Sequence, residues 1–312
     1  LLWVLSCGEL GVMKSRIGPN GVHFFDRNTG LNILLDELYS QGVVWSMSPR
    51  QVSIALTNLC DLHCAYCFAP KHKAVLHTDQ VLSWLKELDT EGCLGIGFGG
   101  GEPTHHPDFV EICKRAAGET QLAVTFTTHG HRLSQQLVKH LKGSIHFARI
   151  SVDGIGSTYE ELRGKPFANL LKGIESIATL SPFGINVVIN ERTVFELDAI
   201  TELAQQFGAS ELLLLPQQAT NAVASMNEVV GRELKNWVSN YRGEVRLAVS
   251  EVGASGLPIC DPLPDETGLR AYAHIDASGI LRMSSYSTTG VDIGETGVLS
   301  SLQRLLKTLE MK

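Results

Sequence analysis

QVSIALTNLCDLHCAYCFAP, residues 51–70, joins an apolar, strand-like run to a loop that carries three cysteines. These cysteines are Cys60, Cys64 and Cys67, spaced four and then three residues apart. Residues 51–58 are rich in aliphatic and β-branched side chains, which is typical of a buried strand. The sequence therefore predicts a strand that delivers three thiols to one loop at its carboxyl end.

The same strand-then-helix pattern recurs along the chain. Between the strand-like runs, apolar residues recur every three to four positions, as in amphipathic helices, and Thr78 is the expected N-cap of the first helix. Six successive βα units predict parallel strands joined by right-handed crossovers, in an open doubly wound sheet or a partial barrel. The strand-like runs are residues 51–58, 93–98, 121–127, 145–152, 185–190 and 211–215.

Both ends of the chain depart from this alternation. The stretch GVHFFDRNTGLNILLDE, residues 21–37, predicts a hairpin that turns at residues 28–30. Beyond about residue 245 short strands, a turn and a final helix are expected. The predicted units are an N-terminal extension with a β-hairpin (1–50), the βα region (51–245) and a small C-terminal α/β module (246–312).

Composition excludes several classes of protein. The 312 residues are 44% hydrophobic and 19% charged, which is typical of a globular chain. No apolar run approaches the roughly 20 residues that span a bilayer, and LLWVL at the start lacks the basic flank of a signal peptide. A net charge of −7 disfavours a nucleic-acid surface. Seven cysteines, an odd number, without a secretory signal predict a reduced, cytoplasmic protein. No membrane or nucleic-acid partner is expected.

Three cysteines on one loop suit few chemistries. Structural zinc uses four ligands, and a redox dithiol uses two cysteines. Cys93 and Cys113 lie inside predicted elements, where core packing is expected. The remaining soft-ligand site is an iron–sulfur cluster, in which three thiolates leave one of four irons open. A non-enzymatic zinc or iron–sulfur module stays the alternative.

Further motifs follow the later strands. They are GGGEPT (99–104), TFTTHG (125–130), ISVDG (150–154) and YEELRGKPF (159–167). Together with CDLHCAYC, they resemble the motifs of the radical S-adenosylmethionine (SAM) superfamily over about residues 51–220. The resemblance implies a partial (β/α)6 barrel of the TIM type, one 4Fe–4S cluster and SAM as cofactors.

The resemblance also implies a set of site residues. The cluster would be held by Cys60, Cys64 and Cys67, and its open iron would bind the amino and carboxylate groups of SAM. The residues expected around SAM are Tyr66 beside the adenine, Gly100, Gly101 and Glu102 at the amino group, Ser151 at the ribose or methionine part, Arg163 at the carboxylate, and Asn190. His129 stands where the family has asparagine, so its role stays open.

The ends of the chain indicate a subgroup. The N-terminal hairpin resembles that of maturases of ribosomally made peptides, including spliceases, which excise a tyramine unit and leave an α-keto-β-amino acid. AYAHIDASGILRMSSYSTTG, residues 271–290, resembles a SPASM or twitch domain. Residues 283–285 are Met-Ser-Ser where that family places a cluster cysteine, so we expect a degenerate module without a second cluster.

The expected function is reductive cleavage of SAM to a 5′-deoxyadenosyl radical that modifies a precursor peptide, with backbone splicing as the finer hypothesis. The N-terminal 50 residues are short for a leader-binding winged module, so a separate leader-peptide-binding protein is expected, with a flavodoxin- or ferredoxin-type electron donor. Action on a small molecule is the competing hypothesis. No catalytic base is assigned; the loop candidates are His105, His106, His129 and Tyr286.

Overall fold

A computed structural model describes residues 13–36, 44–250 and 253–310. Parts of the predicted N-terminal extension, residues 1–12 and 37–43, lie outside these segments. The strands are β1 (Lys14–Gly18), β2 (Gly21–Phe25), β3 (Asn32–Leu35), β4 (Gln51–Thr57), β5 (Gly95–Gly100), β6 (Ala123–Thr128), β7 (Phe147–Ser151), β8 (Phe183–Ile189), β9 (Glu211–Pro216), β10 (Arg246–Val249), β11 (Tyr272–Ile275), β12 (Ile280–Arg282) and β13 (Gly290–Asp292). The helices are α1 (Thr78–Thr90), α2 (Phe109–Glu119), α3 (Gln135–Leu141), α4 (Ser157–Arg163), α5 (Phe167–Ala178), α6 (Leu197–Gln206), α7 (Glu228–Asn240) and α8 (Val298–Glu310).

One ten-stranded sheet organises the molecule, in the order β10-β9-β8-β7-β6-β5-β4-β11-β12-β13. The six strands β4 to β9 are parallel and follow one another in chain order, with helices between them. This confirms the predicted α/β fold with a partial barrel of the TIM type. In such folds the loops at the carboxyl ends of the strands form the ligand site.

The strand that precedes the cysteine loop shows why the sheet is buried. Successive side chains of a strand point to opposite faces. In β4, Val52, Ile54 and Leu56 have no exposed surface and belong to the core shared with the helices. Ser53 therefore points to the other face, the inside of the barrel. The even-numbered positions account for the apolar run in the sequence.

The first three strands form a separate antiparallel sheet, β1-β2-β3. The pair β2 and β3 turns through residues 26–31, where the Asp26 amide donates to the Leu31 carbonyl. The structure thus has a hairpin where the sequence predicted one.

Arg16, in β1, fixes this small sheet to the barrel. Its side chain is 3% exposed, and Nε donates to Glu266 Oε1 at 2.5 Å. The rest of the guanidinium donates to the backbone carbonyls of Ser48, Gly92 and Arg270. One buried side chain therefore links the N-terminal sheet, the barrel and the segment before β11.

Replacing Glu266 by glutamine should lower the free energy of unfolding by about 2 kcal/mol, because a buried charge-assisted hydrogen bond is weakened. Glu161, whose side chain is 63% exposed and pairs with Arg192, offers a matched surface control that should change stability by less than about 1 kcal/mol. Denaturant unfolding of both variants measures the difference. Equal stability of E266Q and E161Q would show that the Arg16 linkage contributes nothing.

The C-terminal strands extend the barrel sheet. β11 is parallel to β4, and β12 and β13 continue antiparallel from it. Glu87 of α1 accepts hydrogen bonds from the Val298 and Leu299 amides at the start of α8. Because this part shares a sheet with the barrel, the division into three units stays a proposal. None of the helices in the described segments is long and apolar enough to cross a membrane.

Some elements differ from the sequence prediction. The predicted N-cap Thr78 is the first residue of α1, and His77 precedes it as the cap. The Thr78 hydroxyl instead donates to Asp108 Oδ2 at 2.7 Å, next to α2. The helices α4 and α7 were not predicted, since α4 is short and α7 is polar over most of its surface.

Candidate functional site

Cys60, Cys64 and Cys67 lie half-buried on the loop between β4 and α1. The Cys67 amide donates to the Cys64 carbonyl at 3.1 Å, and the Leu62 amide donates to Cys60 Sγ at 3.4 Å. Burial, followed by the charges of Glu102 and Asp61, raises the pKa of the Cys60 thiol. The loop is therefore closed by its own backbone.

One group of donor atoms in the described residues is close enough to share a metal ion. It consists of Cys60, Asp61 and His129, whose ligand atoms all lie within 4.8 Å of one another, and it does not include Cys64 or Cys67. Three thiolates from one loop are instead the ligands of an iron–sulfur cluster with one open iron.

The turn after β5 packs directly against the cysteine loop. The Gly101 amide donates to the Thr57 carbonyl at 2.7 Å, and Gly100 has φ +125°, which favours glycine. A Cβ at Gly100 would lie 2.1 Å from the Thr57 carbonyl oxygen, and one at Gly101 would lie 2.3 Å from that of Leu59. These two predicted SAM residues therefore have a structural role in seating the cysteine loop.

Replacing Gly101 by alanine should displace the cysteine loop and reduce the iron bound after anaerobic reconstitution, because the added methyl would overlap a backbone oxygen. Gly99 is the matched control, since a Cβ there would meet no atom within 4 Å. Iron analysis of both variants makes the comparison. The steric account is wrong if G101A and G99A bind the same amount of iron.

Glu102 is 1% exposed, and its carboxylate accepts hydrogen bonds from two loops. Its Oε1 accepts hydrogen bonds from the Thr104 amide and hydroxyl and from the Thr128 hydroxyl. Its Oε2 accepts from the His129 amide at 2.9 Å. The carboxylate thus joins the end of β6 to the turn after β5.

Asp61, which was not singled out from the sequence, follows Cys60, and its carboxylate lies close to two histidines and a lysine. It lies 2.9 Å from His129 Nε2, 3.1 Å from His105 Nε2 and 3.6 Å from Lys165 Nζ. Burial alone would raise the pKa of Asp61, but the His105 hydrogen bond and the His129 charge lower it well below the usual range. The two candidate histidines are therefore anchored to an ionised carboxylate.

His106 is a structural residue. It is 3% exposed, its Nε2 contacts the Leu76 carbonyl at 2.8 Å, and its Nδ1 accepts from the Asp108 amide. Both ring nitrogens are thus used within the protein, so His106 is the weakest of the loop candidates for a base.

A network of an ion pair and hydrogen bonds lies beside the cysteine loop and consists of Arg163, Asp153 and Tyr66. Arg163 Nη2 lies 2.5 Å from Asp153 Oδ2, and the Tyr66 hydroxyl donates to the same oxygen at 2.6 Å. Arg163 Nη1 lies 3.8 Å from Cys64 Sγ. Burial opposes the charge of Arg163, but Asp153 raises the pKa of Arg163 well above its ordinary value. The network ties α4 and the end of β7 to the cysteine loop.

Asp153 holds this network and was not singled out from the sequence. Its side chain has no exposed surface, and Oδ1 accepts from the Val188 amide at 2.7 Å. The signal was available, because Asp153 is the acidic residue of ISVDG. Arg163 Nε is buried without a hydrogen-bond partner among the described residues, so a donor is left beside the cysteine loop.

Ser151 and Asn190, the other two side chains expected around SAM, differ in their hydrogen bonding. Ser151 ends β7, is half-buried, and its hydroxyl makes no hydrogen bond within the described segments. Asn190 is 8% exposed, and its Oδ1 accepts from the Arg192 and Thr193 amides. Asn190 therefore shapes the turn after β8, whereas Ser151 keeps a free hydroxyl at the carboxyl end of the sheet.

A pocket of about 300 Å³ opens between the cysteine loop and α4. Its lining includes Asp61, Leu62, Tyr66, Arg163 and Gly164. It combines an aromatic ring, a carboxylate and a guanidinium beside three soft thiols. Such a site can bind a zwitterionic ligand next to a thiolate-bound metal centre.

The sequence profile of the radical SAM superfamily matches residues 54–204, which include the cysteine loop, β5 to β8 and Arg163. Residues 54–204 are a radical SAM domain. Radical SAM proteins use a 4Fe–4S cluster and SAM, and three thiols with an adjoining polar pocket fit both.

Relatives of known activity match about half of this chain. The AdoMet-dependent heme synthase of Methanosarcina barkeri is 30% identical over 176 residues, covering 54% of this chain and 50% of the relative. The mycofactocin maturase MftC of Mycobacterium tuberculosis is 31% identical over 171 residues, covering 52% and 44%. The chain thus matches about half the length of these relatives.

Solved structures match nearly the whole fold. Streptococcus suis SuiB bound to S-adenosylmethionine has a TM-score of 0.72 at 14% identity, covering 92% of this chain and 86% of SuiB. SuiB bound to its precursor peptide SuiA matches with the same TM-score at 13% identity. At such identity the likeness shows the fold alone, but it extends to both ends of the radical SAM domain.

Proposed function

We propose that this chain is a radical SAM maturase that acts on a ribosomally made precursor peptide. The single observation that carries the proposal is the half-buried triplet of thiols on the loop that lines the pocket of a radical SAM domain. The fold shared with SuiB, which has been solved with SAM and with a precursor peptide, supports the peptide as substrate.

The site residues have distinct parts in this function. Cys60, Cys64 and Cys67 would hold the cluster, and Gly100 and Gly101 seat their loop by close backbone approach. When bound, the cluster and SAM supply a 5′-deoxyadenosyl radical that abstracts a hydrogen atom from the substrate. The chain's own residues orient SAM so that this radical forms beside the substrate.

Four side chains are proposed to orient SAM. Tyr66 and Arg163 line the pocket, and the Ser151 hydroxyl is free of protein partners at the carboxyl end of β7. Arg163 is already paired with Asp153, but a guanidinium has five N–H donors, so it can also meet the SAM carboxylate. Glu102 is proposed to contact the amino group of SAM. Its Oε1 accepts three of the four hydrogen bonds that the carboxylate receives within the protein, and Oε2 accepts one.

The finer reaction and the partners are part of the proposal. We propose backbone splicing with excision of tyramine, a separate leader-peptide-binding protein, a flavodoxin- or ferredoxin-type electron donor, and a cytoplasmic location. One cluster is proposed, since Cys260 is the cysteine of residues 253–310 and lies exposed. Its single thiol does not make a second cluster site.

Action on a small molecule is the second candidate, because the heme synthase of Methanosarcina barkeri is about as similar as the peptide maturase. Co-expression with each short peptide encoded beside the gene, followed by mass spectrometry, separates the two. We expect one peptide to change mass, and a loss equal to a tyramine unit would support splicing. If no peptide changes while the protein cleaves SAM, the small-molecule function is favoured.

A further inference from the structure

A second groove lies on the helical outside of the barrel, between α6 and α7. Its volume is about 780 Å³, which is within the range of sites that bind ligands. It is open along one side, and none of its lining residues lines the pocket beside the cysteine loop. The groove is therefore a surface that the proposed function does not use.

Three aromatic side chains line this groove. The rings of Trp237, in α7, and Tyr241, which follows α7, have centroids 5.0 Å apart. Phe195, in the 3₁₀ turn before α6 (Thr193–Glu196), is 70% exposed. Aromatic residues at the surface are typical of protein interaction sites, where they are enriched over the rest of the surface.

Polar contacts hold two of these rings in place. Trp237 Nε1 donates to Asp198 Oδ1 at 2.7 Å, and the Tyr241 hydroxyl donates to the Val245 carbonyl at 2.8 Å. A Cβ at Gly243 would lie 2.4 Å from the Tyr241 hydroxyl oxygen, so the glycine lets the chain pass close to the ring. Because the polar groups of both rings are satisfied within the protein, the rings offer apolar and π surface to the groove.

The charged lining of the groove is mainly acidic. Asp198 and Glu202 lie one turn apart on α6, and Glu233 lines the groove from α7. None of these three carboxylates forms an ion pair with a residue of the described segments. All three residues are exposed, so their negative charge is available to a ligand in the groove.

The arginine of the lining does not neutralise these carboxylates. Arg242 Nη1 donates to the Ser239 carbonyl at 3.0 Å and to the Tyr241 carbonyl at 2.6 Å. The guanidinium is thus tied to the backbone at the end of α7, where a cation interacts favourably with the helix carbonyls. The groove keeps an excess of carboxylates beside aromatic rings, and both groups attract guanidinium and ammonium ions.

The groove is longer than one cationic group. Asp198 and Gln205 both line it, and residues seven apart on a helix are separated by about 10 Å along its axis. A ligand that fills the groove therefore carries more than one cationic group, with apolar parts between them. A basic segment of a protein has this chemistry, because arginine and lysine combine a charged end with an aliphatic stem.

We propose that the groove between α6 and α7 docks an arginine- or lysine-bearing segment of a protein partner. The cationic ends of the segment pair with Glu202 and Glu233, and its aliphatic stems cover the rings of Phe195 and Trp237. This partner surface goes beyond the proposed function, and it stands whether the substrate is a peptide or a small molecule.

Fluorescence anisotropy with a labelled peptide in which arginine alternates with leucine tests the proposal. The reconstituted protein should bind this peptide but not a peptide of equal length with glutamate in place of arginine. Affinity should fall as the salt concentration is raised, because interactions between exposed charges are screened. Equal binding of the two peptides, or no binding of the arginine peptide, would overturn the proposal.

The double variant E202Q/E233Q locates the binding site. It should weaken binding of the arginine peptide about tenfold, since each exposed ion pair contributes up to about a factor of five. E175Q/E295Q is the matched control, because Glu175 and Glu295 are exposed and do not line the groove. Equal affinity in the two double variants would show that net charge alone attracts the peptide, and would overturn the groove as the site.

Phe195→Ala tests the aromatic part of the groove. The exposed ring contributes little to folding, and its loss should weaken the arginine peptide about threefold, as expected for an exposed cation–π contact. An unchanged affinity in F195A would contradict the proposed position of the cationic side chains.

The indole N–H of Trp237 reports on the ligand directly. Its ¹⁵N NMR signal, assigned through W237F, should shift with the arginine peptide and stay unmoved at the same concentration of free arginine amide. An equal shift with arginine amide would make a small cation the ligand and overturn a protein partner. These measurements need neither SAM nor a precursor peptide, so their failure leaves the proposed function intact, and failure of that function leaves the groove intact.

Discussion

Cys64→Ser protein, reconstituted without oxygen, should bind almost no iron or sulfide and release no 5′-deoxyadenosine from SAM. Two thiolates and a hydroxyl do not replace three thiolates, because soft sulfur ligands hold iron–sulfur clusters. Cys64 also receives the Arg163 contact at 3.8 Å, so its loss removes one of the contacts between the cysteine loop and α4. Iron and sulfide analysis with electron paramagnetic resonance measures the effect.

Cys260→Ser is the matched control for this experiment. Cys260 is exposed, and it lies in the C-terminal part of the chain. It should keep the iron content and SAM cleavage of the unsubstituted protein. Iron retention in C64S, or iron loss in C260S, would contradict the assignment of the cluster to Cys60, Cys64 and Cys67.

Asp153→Asn is the second large effect, because Arg163 would keep a buried charge without its partner. Breaking such a pair costs about 3–5 kcal/mol of the free energy of unfolding. Asparagine can still accept from the Val188 amide, so the loss is mainly electrostatic. Tyr66 and Arg163 would release the cysteine loop, and bound iron should fall together with the melting temperature.

Asp79 is the matched control for D153N, since its side chain is 98% exposed and lies 3.8 Å from Arg115 at the surface. D79N should melt like the unsubstituted protein and bind the same iron. Scanning calorimetry and iron analysis compare the two variants. The network would have no role in seating the loop if D153N and D79N bound equal iron.

The barrel strands could be predicted from the sequence because each is a buried parallel strand and reads as a continuous apolar run. The runs at 51–58 and 211–215 correspond to β4 and β9. The sharing of one sheet by β4 and β11 could not be predicted. Strands more than two hundred residues apart pair through register and packing, which local patterns do not encode.

Within the site, the sequence identified the residues that carry motifs but not their partners. The three cysteines stand out by type and spacing, and Arg163 was assigned through the resemblance to the radical SAM motifs. Asp61 and Asp153 were missed, because a carboxylate in a loop is common and its importance comes from the groups that the fold brings to it. For Asn190 the contact with SAM stays a prediction, and the structure adds that its Oδ1 accepts from the Arg192 amide in the turn after β8.

The central claim is that three thiolates leave one iron of a cluster open to SAM. The most direct measurement is the 5′-deoxyadenosine released when reconstituted, oxygen-free protein is chemically reduced with SAM present. The account predicts release that requires both reduction and the loop cysteines, from protein holding about four irons, the content of one 4Fe–4S cluster. Preferential zinc uptake, or reduced iron–sulfur protein that leaves SAM intact, would contradict it.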